Sequence, residues 1–179
     1  MTKRIITMDE LWQSDPCTYL REWLPREIPI SASLALEPLS WVNEMLQLKV
    51  PLEANRNHMH SGFGGSLYTA SLLVCWSWLH LQLRTLGVDD GVHIVIQKAD
   101  VQYPKPLLTD GIAICRGVDT TAWAKFLKSW QRYQKGRITL SSEIKPMDAI
   151  DPIMDSRTDA RTDLSITTQF IGDFVVYRA

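Results

Sequence analysis

The chain lacks the features that would place it in several common classes of protein. Its 179 residues contain only three cysteines, Cys17, Cys75 and Cys115, which are too few and too widely spaced for a disulfide framework or a CxxC metal knuckle. Its 19 Lys and Arg residues are balanced by 20 Asp and Glu residues, whereas a general nucleic-acid-binding protein needs a basic surplus. We therefore expect a cytoplasmic protein that does not have nucleic acid as a partner.

Long hydrophobic runs are also missing. The most apolar stretch, residues 70–83, is shorter than the roughly 20 residues that cross a bilayer, and it contains Ser77, His80 and Gln82. The basic first residues are followed by neither an apolar segment nor a small-residue cleavage site, so no secretory signal is visible. We expect residues 70–83 to form a buried core helix and the protein to have no membrane partner.

Hydrophobic periodicity predicts a helical start, one long apolar helix and a strand-rich second half. Residues 1–27 are predicted to form an N-terminal helical segment, and Pro25 is expected to end its last helix because proline breaks a helix interior. A long apolar helix is predicted over residues 66–86. The predicted strands cover residues 46–52, 93–103, 111–118, 138–144 and 164–177.

The order of these elements favours one compact arrangement. An amphipathic helix is predicted after Asp119, and the polar residues 145–163 are predicted to form a solvated loop. A helix that is apolar on most sides needs a sheet to enclose it. We therefore expect a single α+β domain over residues 1–179, in which mostly antiparallel strands curl around the helix at 66–86.

The residues suited to chemistry come directly before the long helix, in the segment 55–66. Glycines at this position let a ligand approach the backbone, and the first helical turn presents N–H groups that have no partner within the helix. The helix dipole adds positive potential there, so the site can stabilise an oxyanion or enolate. Glycines in this pattern also occur in ordinary tight turns, and Ser61 and Ser66 are candidates for capping the helix.

The spacing of this segment resembles the hot-dog-fold thioesterase superfamily, and most closely the thioesterase domain at the C-terminus of YiiD-type proteins. The run that carries the resemblance is Pro51-Leu52-x-x-Asn55-x-Asn57, followed after five residues by Phe63-Gly64-Gly65-Ser66-Leu67-Tyr68. Further counterparts are Ile28-Pro29-Ile30-Ser31, Tyr103 with Pro106, Lys135-Gly136-Arg137 and Phe170-x-Gly172-x-Phe174. The resemblance covers residues 18–179.

The resemblance implies a hot-dog fold, in which a long central helix is wrapped by a curved antiparallel sheet, and a homodimer or larger homo-oligomer. It also implies active sites at the subunit interface that bind acyl-CoA or acyl-carrier-protein thioesters. No cofactor is implied, since CoA or phosphopantetheine enters as part of the substrate. Histidines such as His58 and His60 lack a third ligand at close spacing, so no metal site is expected.

The resemblance also implies roles for individual residues. Asn57 would orient or polarise the thioester, and the backbone N–H groups of Gly64 and Gly65 would hold the developing oxyanion. His60 departs from the family pattern, which often has glycine there, and we expect it to be a further catalytic group because an imidazole can move protons. Apart from the resemblance, Arg132, Lys135 and Arg137 form a basic cluster that suits phosphates or an acidic carrier protein, and the alternative interpretation is a solvated helix end, where cations complement the dipole. The predicted substrate-binding residues are Asn55, Arg56, Ser61, Phe63, Ser66, Tyr68, Arg132, Lys135 and Arg137.

The sequence departs from the superfamily pattern in ways that leave the reaction open. Many relatives have an acid two turns into the central helix, whereas this chain has Leu72 there and no acid from 66 to 87. Hydrolysis of an acyl thioester then needs His60, His58 or water positioned by Asn57. Decarboxylation of a malonyl thioester needs no base, because loss of CO₂ generates the carbanion. A non-catalytic domain that binds an acyl chain or a partner is the third possibility.

Overall fold

The computed structural model of the protein describes residues 7–88, 91–149 and 165–178. Its helices are α1 (Met8–Ser14), α2 (Pro16–Glu27), α3 (Ile30–Ser33), α4 (Leu52–Asn55), α5 (Gly64–Thr85) and α6 (Thr120–Tyr133). Its strands are β1 (Glu37–Val42), β2 (Met45–Val50), β3 (Val92–Gln102), β4 (Gly111–Cys115), β5 (Lys135–Pro146) and β6 (Thr168–Arg178).

The strands form one antiparallel sheet in the order β1-β2-β4-β5-β6-β3. Side chains alternate along β5, where Ile138, Leu140, Ser142 and Ile144 are buried and the residues between them are more exposed. This period of two gives the sheet one face for the core and one face for solvent. The predicted α+β arrangement, a long helix against an antiparallel sheet, is confirmed.

The core is built around α5, which packs against β2, β4, β5 and β6. Fully burying one of its leucines contributes about 1.5–3 kcal/mol, so the helix accounts for a large share of the burial energy. Trp78 fixes one side of this packing, because its Nε1 donates to the Glu44 carbonyl at 2.6 Å. Gly117 has φ +72°, and a Cβ there would lie 2.2 Å from the Trp78 ring. Only glycine fits this close approach.

Several predicted boundaries differ from the structure. Pro25 lies inside α2, which continues to Glu27, so the expectation that it ends the helix is wrong. Proline there removes the hydrogen bond to the Arg21 carbonyl and crowds that carbonyl, and only Arg26 and Glu27 follow it in the helix. Strand β1 was not predicted, because Pro38 interrupts its pattern. It lies at an edge of the sheet, where its one partner among the described strands is β2.

The helical start and the polar loop are described in part. Helices α1 and α2 lie within the predicted segment 1–27, whose residues 1–6 fall outside the described residues. In the predicted loop 145–163, Lys145 and Pro146 end β5 and Met147–Ala149 form one turn of 3₁₀ helix. The other residues of that loop fall outside the described residues.

An aromatic cluster attaches α2 to α5. The His80 ring of α5 stacks on Trp23 with a centroid distance of 4.3 Å and on Trp76 at 5.3 Å. Its Nε2 lies 2.8 Å from the hydroxyl of Tyr19, which is fully buried. Burial, and then the nearby Arg84 guanidinium, lower the pKa of His80 from 6.5 to about 3. His80 is therefore a neutral core residue at ordinary pH, remote from the segment 55–66.

This lowered pKa predicts an acid sensitivity of the fold. As the pH falls from 6.5 towards 3, the unfolded chain binds a proton at His80 that the folded chain excludes, so stability is lost in that window. The folding equilibrium constant should change by up to about tenfold per pH unit from this group. The measurement is urea unfolding of wild type and His80→Gln between pH 7 and 4, and the wild-type advantage should shrink as the pH falls. A difference that stays constant with pH would contradict the prediction.

Candidate active site

Asn55 holds together the loop that leads into α5. Its Nδ2 donates to the carbonyl oxygens of Leu34 at 2.8 Å and Pro51 at 2.7 Å, and its backbone carbonyl accepts from the Phe63 N–H at 2.7 Å. The residue is 1% exposed. The structure therefore corrects the expected substrate contact: within one protomer Asn55 is a buried brace between α3, α4 and the start of α5.

Asn57 closes the next turn of the loop. Its Oδ1 accepts from the N–H groups of Met59 at 2.8 Å and Ser61 at 3.2 Å. Its Nδ2 lies 3.1 Å from the Ser61 Oγ, and its backbone N–H donates to the Ser61 carbonyl at 2.8 Å. Among the described residues, the Asn57 Nδ2 has no second acceptor, so one of its two N–H bonds remains available to a ligand.

A chain of polar contacts links Glu53, Arg56 and His60 on the surface of the loop. The Arg56 guanidinium donates through Nε and a terminal nitrogen to the two carboxylate oxygens of Glu53, both at 3.1 Å. Its other terminal nitrogen lies 3.1 Å from the His60 Nδ1. Because arginine only donates, this Nδ1 is an acceptor and a neutral His60 ring carries its proton on Nε2. In this arrangement His60 presents a donor to a substrate, which is the opposite of the expected base.

Helix α5 begins at Gly64 with exposed donors. Phe63 is its N-cap and supplies no side-chain cap, and Leu67 is the first residue whose N–H bonds back, to the Phe63 carbonyl at 3.0 Å. The N–H groups of Gly64, Gly65 and Ser66 have no acceptor among the described residues. The expectation that Ser61 or Ser66 caps this helix is wrong, since neither bonds to its first turn. Three N–H groups at a helix N-terminus form an anion-binding arrangement.

Tyr103 completes this end of the helix and was not among the predicted site residues. Its hydroxyl donates to the Gly64 carbonyl at 2.8 Å. Burial, and then the neighbouring Tyr68, raise the pKa of Tyr103, so the phenol keeps its proton. Tyr68 in turn packs edge-on against Phe170 at 5.8 Å. The sequence signal was the position of Tyr103 at the end of a predicted strand, directly before Pro104.

The predicted basic cluster lies elsewhere on the protomer. Lys135 pairs with Tyr177 near the first residue of β3, whereas Tyr103 follows the last residue of that strand. The two ends of this 11-residue strand are roughly 30 Å apart. Arg137 donates to the Gln97 Oε1 at 2.7 Å beside a groove of about 290 Å³. The structure therefore does not bring Arg132, Lys135 and Arg137 to the same site as Asn57 and Gly64 within one protomer.

The site is apolar and open on this single chain. Phe63 is 55% exposed and Tyr103 46% exposed, and the nearby Met59 reaches 72%. Leu72 is partly buried against the core, so the helix position at which many relatives have an acid is hydrophobic.

Within residues 7–88, 91–149 and 165–178 no three His, Cys, Asp or Glu side chains are grouped as a metal site would require. None of the described helices is both long and apolar enough to cross a membrane.

Comparison with solved structures identifies the class of fold. A protein of unknown function from Chlorobaculum tepidum matches with a TM-score of 0.78 and 25% identity, covering 97% of this chain and 98% of that chain. A putative thioesterase from Shewanella oneidensis matches with a TM-score of 0.68 and 25% identity, covering 90% and 97%. A thioesterase from Haemophilus influenzae matches in fold at 0.63 and 10% identity, covering 98% and 94%. The protein has the hot-dog fold of the thioesterase superfamily.

The family can be stated more closely. The YiiD_C family, described as Putative thioesterase (yiiD_Cterm), matches residues 17–178. The chain belongs to this family, and the resemblance inferred from its residues is confirmed. At the level of the family it is a thioester-processing protein.

The two glycines of the helix start are predicted to differ in their tolerance of a side chain. A Cβ at Gly64 would meet the Tyr103 ring at 3.5 Å, which is ordinary contact, whereas a Cβ at Gly65 would lie 2.6 Å from the Phe63 Cε1. We expect Gly64→Ala to change the free energy of unfolding by less than about 1 kcal/mol. Gly65→Ala should displace the exposed Phe63 ring, and we expect it to lower thioester turnover at least tenfold more than Gly64→Ala does. Thermal unfolding and thioester turnover of both variants would check this, and equal activity in the two variants would contradict it.

Proposed function

We propose that this protein hydrolyses acyl thioesters at the N-terminus of α5. The observation that carries the proposal is the set of three N–H groups at Gly64, Gly65 and Ser66 that have no acceptor among the described residues, in a chain of a thioesterase family. A thioester carbonyl oxygen becomes negatively charged when its carbon is attacked. Donors fixed by the backbone stabilise that charge more than they stabilise the ground state.

The neighbouring residues supply the remaining parts of the reaction. Asn57, held by its turn with Ser61, offers its second Nδ2 hydrogen to the thioester, and Phe63 and Tyr68 line the acyl chain. Tyr103 keeps Gly64 in place through its hydrogen bond. Water adds to the carbonyl carbon, its proton passes to a base, and the C–S bond then breaks to give a free thiol and a free acid. His58 is the candidate base, since this exposed imidazole has no partner among the described residues.

We propose that the working form is a homodimer in which a second copy covers this site. Strand β3 is an edge of the sheet, and β6 is its one partner among the described strands. An unpaired edge and an adjacent patch of exposed Met59, Phe63, Tyr103 and Leu108 together favour association. Antiparallel pairing of two β3 strands would extend the sheet and close the site, and sedimentation should then give twice the 20.4 kDa chain mass.

Decarboxylation of a malonyl thioester is the second candidate, favoured by a specific observation. Helix α5 carries no acid from Gly64 to Thr85, and His60 has its Nδ1 bonded to Arg56. Breaking the C–C bond to release CO₂ leaves an enolate that the same three N–H groups would hold. This step needs no base, and the enolate carbon then takes a proton from water to give the acetyl thioester.

One experiment separates these reactions. Purified protein is incubated with malonyl, acetyl and longer acyl thioesters of CoA and of carrier protein, and the products are identified by mass spectrometry. Free thiol together with free acid supports hydrolysis, and conversion of malonyl to acetyl thioester with release of CO₂ supports decarboxylation. Unchanged substrates throughout would contradict both and leave the non-catalytic alternative.

The role of Asn57 is tested by a substitution that keeps its turn. Asn57→Asp retains the oxygen that accepts from Met59 and Ser61, but it removes the N–H that would face the substrate. We expect kcat to fall at least 100-fold with little change in the thermal midpoint, because a lost oxyanion donor costs about 2.7–4 kcal/mol. Asn57→Ala, which removes both functions, serves as the comparison. Full activity of Asn57→Asp would show that Asn57 serves only the loop.

A further inference from the structure

The segment from Thr120 to Ser142 has a charge composition unlike the rest of the chain. It contains five cations and no Asp or Glu, although the whole sequence carries a net charge of −1. The five are Lys125, Lys128, Arg132, Lys135 and Arg137, and they define what we call the basic face. Among the described residues none of them forms an ion pair.

The helix geometry places three of these cations in one row. Phe126 and Trp130 bury the inner side of α6, while Lys125, Lys128 and Arg132 lie exposed on its outer side. Their spacing of three and four residues keeps them within a narrow arc, where like charges repel. The helix dipole favours a cation only in the last turn, so it accounts for Arg132 but not for the two lysines. Among the described residues the row has no carboxylate partner, and Arg132 contacts only the Tyr133 ring, so the row suits an anionic ligand that meets the face.

The shape of the face favours an extended ligand. The row runs about 10 Å along the convex side of α6 and continues onto β5 at Lys135 and Arg137. Small ligands bind in concave sites, and the groove of about 290 Å³ near Tyr133 receives only the last two cations. A row of acidic side chains on another protein matches the whole face in both length and curvature.

We propose that the basic face docks the acidic surface of a carrier protein that presents the acyl thioester. This inference rests on the proposed function, and it assigns the carrier-bound thioester as the preferred substrate. It also gives a role to the distance between the face and Gly64. Antiparallel pairing of two β3 strands would bring the Val92 end of one copy beside the Gln102 end of the other, so the face of one protomer would serve the site of its partner.

The test reverses one charge on the face and one charge away from it. Lys128→Glu and Arg26→Glu change the net charge equally. Both residues are exposed: Lys128 lies on the outer side of α6, and Arg26 lies in the last turn of α2. Binding of unacylated, phosphopantetheine-bearing carrier protein is measured by titration calorimetry at low and high salt. We expect Lys128→Glu to weaken binding at least tenfold at low salt and Arg26→Glu to weaken it less than twofold. The difference should shrink at high salt, which screens charges.

Turnover of the two substrate forms completes the test. Lys128→Glu should raise KM for carrier-protein thioesters and leave kcat/KM for CoA thioesters within twofold of wild type. An equal loss for CoA thioesters would mean that the face holds CoA phosphates, and it would overturn the proposal. So would wild-type binding to anionic phospholipid vesicles without binding to carrier protein. Because docking is measured without a thioester, intact docking with no turnover of any substrate would refute the proposed function alone.

Discussion

The enclosure of α5 is the constraint on which the rest of the structure depends. This 22-residue helix has no charged side chain before Arg84 in its last turn, so nearly its whole circumference has to be removed from water. The sheet covers one side, and the aromatic residues of α2 cover another. Water then reaches the helix mainly at its two ends, and at the first turn the backbone donors have no side-chain cap. The apolar sequence of the helix thereby confines polar groups to its ends, and the unpaired backbone donors lie at the first of them.

Most of the architecture could be predicted. Where one face of a sheet is buried, apolar and polar residues alternate along each strand. The strands β2 to β6 follow from this period of two. Helix α5 follows from its long apolar run, and helix α6 follows from an apolar stripe at helical spacing. Strand β1 did not, since an edge strand with Pro38 near its start buries few side chains and shows little alternation. Pro25 misled because its penalty falls in the last turn of α2, where two helical residues follow it, and the burial of Tyr19, Leu20 and Leu24 outweighs that penalty.

The candidate site could be located from the sequence but not resolved into roles. Glycines before an apolar helix indicate where the backbone donors lie, and the structure places them there. An asparagine in such a loop can brace the backbone or face a ligand, and only coordinates show that Asn55 is buried between two carbonyl groups. Tyr103 reaches Gly64 from 39 residues away, a contact that no local pattern contains. For the same reason, the sequence could not show that the basic cluster lies far from the glycines.

The backbone at His60 has a consequence for how this loop can change over time. Its φ of +59° is a left-handed conformation that glycine adopts freely and that costs a histidine about 1–2 kcal/mol. The turn made by Asn57 and Ser61 imposes that conformation whatever residue stands at position 60. Glycine at position 60 would relieve this strain, but it would also remove the imidazole whose Nδ1 lies 3.1 Å from the Arg56 guanidinium, so the loop would exchange a side-chain contact for a relaxed backbone.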